Sequence, residues 1–141
     1  MRRIINLSTE ELTPSAAEVL ENQGMAGRPN IPARITTLLD SALELFKQLA
    51  EPRGLIEDFP VPNFSAIYDG NGMNSTECPI PAVVGQADGL ALFAATMGAA
   101  LANKSTELFT KGGAALGYML DAVNTVGAER LGRLMCERFL E

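Results

Sequence analysis

The sequence predicts an α+β fold, and three observations carry that prediction. After Pro32, apolar residues recur at Ile35, Leu38, Leu39, Ala42, Phe46 and Leu49, the spacing of one helix face. From Leu90 to Leu134 the chain reads as an apolar strand, a turn on Thr96-Met97-Gly98, an amphipathic helix, a Gly112-Gly113 break and a long second helix. Between these blocks, Leu55 to Tyr68 reads as extended but broken by Pro60 and Pro62, which suits an edge strand or an irregular strand pair. No repeat, low-complexity tract or linker is visible, so one helix-rich domain over residues 1–141 is expected.

Taken in order, Arg3 to Leu7 suits a short strand because its isoleucines fit a pleated surface. Thr13-Pro14 reads as a helix start, with threonine as N-cap and proline in the first helical position. That helix is expected to run to Gln23 and stop at Gly24. Pro32 opens the next helix, over Pro32–Ala50, and Pro52 and Gly54 close it. Asp69-Gly70-Asn71-Gly72 is a tight turn, and Cys78-Pro79-Ile80-Pro81 leads into a short helical turn up to Val84. A strand over Leu90–Ala95 and a C-terminal helix over Ala114–Phe139 complete the layer.

Composition removes several classes of function. A net charge of −6, with no basic cluster beyond Arg2-Arg3, argues against nucleic acid and against an anionic membrane surface. The longest uncharged run, Gly89 to Asn103, falls short of the roughly 20 apolar residues that a membrane-spanning helix needs. No secretory leader is recognisable, so a cytoplasmic location with two reduced cysteines, Cys78 and Cys136, is expected. Histidine is absent from the sequence, which removes the commonest general base and the commonest transition-metal ligand.

Few residues remain that could carry chemistry. At Thr96-Met97-Gly98 a strand-to-helix turn could present backbone N–H groups to an anion. The plainer reading, which outweighs it, is a turn in which glycine bends the chain and threonine caps the helix. Ala94, Ala95, Ala99 and Ala100 around it suggest close packing in place of a pocket. Gly112-Gly113 lacks the spacing of a nucleotide-binding loop. On the last helix, Leu116, Leu120, Val123, Gly127, Leu131 and Leu134 share one face. Asp121, Thr125, Glu129, Gly132 and Cys136 share the other. Gly127 and Gly132 each cost about 1 kcal/mol relative to alanine, which suggests a close approach on both sides. Cys136 reads as a small buried residue, and Met97, Met119 and Met135 as core fillers.

The strand ending in alanines and Thr96-Met97-Gly98, followed by a helix and by a second one carrying Leu120-Asp121-Ala122-Val123, resembles the activation domain of cobalamin-dependent methionine synthase and its stand-alone relatives. Glu18-Val19-Leu20 leading to Gly24, the helix after Pro32 and the Phe59 to Ile67 segment come in the same order. In that family the domain binds S-adenosylmethionine beside a corrinoid cofactor during its remethylation. The resemblance places the acidic residue that contacts the amino group of S-adenosylmethionine at Glu129. The alternative reading of Glu129 is an ion pair with Arg133, four residues on.

The family's arginine-containing stretch ending in glycine–tyrosine has no counterpart before Phe139-Leu140-Glu141, so the resemblance implies at best half a cofactor site. Glu129, Thr96 and Gly98 are its candidate residues; no catalytic residue and no metal ligand is expected. Two functions follow. One is an accessory or reactivation-type protein of a corrinoid methyl-transfer system, docking on a cobalamin-binding partner. The other is a non-catalytic interaction module, assembling with copies of itself. S-adenosylmethionine or cobalamin would enter only with a partner, and catalysis by the chain alone is not expected.

Overall fold

The structure, a computed structural model, describes residues 1–60, 72, 73, 75, 77, 83 and 86–141. These form an α+β arrangement of five helices and a three-stranded antiparallel sheet. In chain order the elements are β1 (Arg2–Asn6), α1 (Thr9–Leu12), α2 (Ala16–Asn22), α3 (Ala33–Leu49), β2 (Arg53–Pro60), β3 (Gly89–Thr96), α4 (Ala99–Thr110) and α5 (Ala114–Leu140). The strands lie in the order β1-β2-β3. The chain divides into two compact units, Met1–Ile4 with Leu55–Ala94, and Ile5–Gly54 with Ala95–Glu141.

In the first unit, Arg2 donates through Nε and Nη2 to the same Glu57 oxygen, at 3.0 and 2.8 Å. Ile56 is buried, whereas Leu92 and Phe93 of β3 are exposed.

The second unit is a helical layer built around α5, which packs against α3 and α4 and more lightly against α1 and α2. Because neighbours surround it, α5 buries Gly117, Met119, Leu120, Val123, Val126, Gly127, Leu131 and Met135, a wider arc than the single stripe expected. Leu116 and Leu134 are only half-buried. On α3 the expected stripe supplies Leu39, Ala42 and Phe46 to the core.

Two helix starts differ from expectation. Thr13 is not an N-cap; it ends α1, with its hydroxyl donating to Thr9 O at 2.8 Å. The caps are Ser8 and Ser15, each in a capping box with the glutamate three residues on, Glu11 and Glu18. Such a box satisfies two otherwise orphaned N–H groups, which outweighs the preference for proline in the first turn.

The close approach expected at both glycines of α5 is present at Gly127, where side chains make it, and absent at Gly132. A Cβ on Gly127 would lie 2.7 Å from Phe46 Cζ and 3.2 Å from Met97 Sδ, so a ring and a thioether occupy that space. Above Gly132 no described residue lies within 4 Å. The expected strand holds, and β2 extends the extended segment back to Arg53. Residues 61–68, Asp69-Gly70-Asn71 of the expected turn, and the Cys78–Val84 turn apart from Val83 lie outside the described residues.

Candidate functional site

The turn leaving β3 is shaped by Gly98, whose φ of 91° is a conformation that residues with a Cβ rarely adopt. Thr96 Oγ1 accepts from Gly98 N at 3.0 Å, so the threonine braces the turn and does not cap α4. The N-cap of α4 is Gly98 itself, without a side-chain hydrogen bond. Glu51, after α3, clamps the turn by donating its N–H to Met97 O at 2.8 Å.

The alanines around this turn do not close it. Ala94, Ala95 and Ala99 are exposed, and beside the turn a groove of about 520 Å³ opens between α4 and α5. Its walls include Thr96, Gly98, Ser105, Phe109, Asp121 and Asn124. That volume falls in the range of small-ligand sites, roughly 300–1,000 Å³. Asn124 Nδ2 reaches Ser105 Oγ at 3.5 Å, while Asn124 Oδ1 is buried without a partner in the described structure.

Glu129 does not join Thr96 and Gly98. Eight residues beyond Asp121 on the same helix, it has turned away and lines a separate groove of about 230 Å³ with Glu18, Glu21, Asn22, Val126 and Arg133. Among the described residues no ion pair forms between Glu129 and Arg133. Arg133 instead adds to the field that keeps the Glu18 carboxyl low.

Glu11 and Glu18 both titrate below the usual carboxylate range. The main cause at each is a hydrogen bond from the capped serine's backbone, reinforced by Arg138 at Glu11 and by Arg130 at Glu18. Cys136 is a free, exposed thiol, contrary to the buried position expected. Met119 and Met135 are buried as expected.

The sequence reading missed the joining of Asp121 and Asn124 to Thr96 and Gly98. The signal was present, since Asp121 and Asn124 are one helical turn apart, but it takes the packing of α4 to show which turn of α5 meets the loop. Among the described residues no group of three or more cysteine, aspartate or glutamate side chains could hold a metal ion. No described helix is long and apolar enough to cross a membrane. No protein-family model and no curated protein matches this sequence.

Thr96 and Gly98 line one groove and Glu129 lines the other, so the three residues expected to share a cofactor site are not brought together.

Proposed function

We propose that this chain is a cytoplasmic accessory protein of a corrinoid-dependent methyl-transfer system, acting by docking on a cobalamin-binding partner. The supporting observation is the run β3, glycine turn, α4, α5, in which the turn and two acidic positions of the 27-residue α5 open onto grooves. This run carries the residues on which the resemblance to the methionine synthase activation domain chiefly rests. The partner supplies the corrinoid, and the residues of this chain contribute surface and charge without holding the methyl donor themselves.

The test is a reactivation assay on a corrinoid methyltransferase whose cobalt has been oxidised to its inactive state. Recovery of methyl transfer that depends on this chain supports the reading; recovery at the same rate without it contradicts the reading. A second reading, a non-catalytic module that assembles with itself, is favoured by the exposed Leu92 and Phe93 on β3. Sedimentation of the chain alone separates the two, because self-assembly needs no corrinoid protein.

A further inference from the structure

We propose that the groove between α4 and α5 is a receptor for an arginine side chain presented by a protein partner. The proposal rests on the docking part of the reading above and not on the corrinoid.

The groove is acidic and unneutralised. Asp121 lines it, and among the described residues no cation lines it and none pairs with Asp121. The nearest basic residues along α4 are already engaged, since Lys104 and Lys111 both pair with Glu107, at 3.4 and 3.8 Å. With a net charge of −6, the whole chain favours a basic partner.

An exposed aromatic pair flanks this charge. Phe109 lines the groove and meets Tyr118 edge-on, with ring centroids 5.2 Å apart at 88°. Phe109 is 42% and Tyr118 70% exposed, so both rings present surface to solvent. Tyr118 stands three residues before Asp121 on α5, so ring and carboxylate are neighbours on one helix face.

Gly117 leaves the room that the Phe109 ring occupies. A Cβ at that glycine would come within 3.3 Å of both Cε1 and Cζ of the ring. A guanidinium suits this set better than an ammonium, because its planar fork stacks on a ring while donating to a carboxylate. The openness of the rings to solvent favours a side chain delivered on a partner's surface over a small molecule enclosed by the protein.

The experiment titrates the ¹⁵N-labelled intact chain with the peptide acetyl-Gly-Arg-Gly-amide, its citrulline counterpart and tetramethylammonium. Saturable shifts are expected at the amides of Phe109, Tyr118, Asp121 and Asn124 with the arginine peptide, weakened about fivefold by Asp121→Asn. Tyr118→Ser, at an exposed position, is expected to weaken binding without unfolding the chain, and Gly117→Ala to weaken it by displacing the ring. Absence of saturable shifts at millimolar peptide overturns the proposal, as does equal binding of the citrulline peptide. Equal binding of tetramethylammonium at the same amides would make this a small-cation pocket and also overturn it. No corrinoid is present in this test, so its outcome is independent of the reactivation assay.

Discussion

Arg130 Nη1 donates to both carboxylate oxygens of Glu18, at 3.1 and 2.9 Å, while the same carboxylate closes the capping box of α2 by accepting from Ser15 N at 2.7 Å. Arg130 Nε also reaches Glu11 O at 3.1 Å, so one guanidinium ties α5 to both short N-terminal helices. Arg138 repeats the device with the carboxylate of Glu11, which is the capping-box glutamate of α1. Helices of four and seven residues are too short to be stable alone. Their caps and these cross-links, with Leu12 and Val19 in the core, hold them to α5.

Arg130→Met is therefore expected to cost about 1–2 kcal/mol, because it leaves a carboxylate and a backbone carbonyl short of a donor. Lys111→Met, at a pair whose lysine is 75% exposed, should change stability by less than about 0.5 kcal/mol. Urea denaturation of the two variants makes the comparison. Equal losses would show that the Arg130 links add no more than a surface pair.

Acid should weaken this end of the molecule first. Glu11 and Glu18 have folded-state pKa values below their unfolded ones, so their contribution is present above the ordinary carboxylate pKa of about 4.3. It is lost as pH falls through the lower, folded-state values. A Glu11→Gln, Glu18→Gln variant should be less stable at neutral pH and show a shallower decline in acid. Stability measured as a function of pH checks this; an unchanged acid slope would mean that the two caps are not the linked groups.

The two helical glycines of α5 should respond oppositely to alanine. At Gly127 the new methyl meets the buried Phe46 ring, so Gly127→Ala should destabilise by about 1–3 kcal/mol. At Gly132 it enters open space in a helix interior, so Gly132→Ala should stabilise by about 0.5–1 kcal/mol. Thermal melts of the pair give the signs directly, and the same sign at both sites would contradict the packing described for α5.

How much of this was legible in the sequence depends on the range of the interaction concerned. The α3 stripe through Leu39 and Phe46 could be read because a single helix face meets a single core. The β3 strand and the Gly112 break were marked by local chemistry. Ser8 and Ser15 were missed although each precedes a glutamate by three residues; Thr13-Pro14, also a sound start signal, drew the boundary to itself. The burial of α5 was under-read because it depends on how many helices surround it. The groove was obscured for the same reason: Thr96, Phe109 and Asp121 are separated in sequence and meet only through α4–α5 packing.

Truncations on α3 test that legible part. Leu39→Ala and Phe46→Ala, at 2% and 0% exposure, should each cost about 2–5 kcal/mol. Glu44→Ala, at an exposed side chain that accepts from Gln48 Nε2 at 2.9 Å, should cost less than about 0.5 kcal/mol. A denaturant series over the three would expose a misplaced helix face if the losses were equal.

The central claim is docking on a corrinoid protein, and sedimentation followed at the corrinoid's visible absorbance tests it most directly. A cobalamin-loaded corrinoid-binding protein is centrifuged alone and with excess of this chain, at concentrations of tens of micromolar, where a dissociation constant near 1 μM (about 8 kcal/mol) gives near-complete complex. The expected result is faster sedimentation of the absorbing species, by the mass of one added chain, with or without S-adenosylmethionine. An unchanged boundary across the titration would contradict the claim.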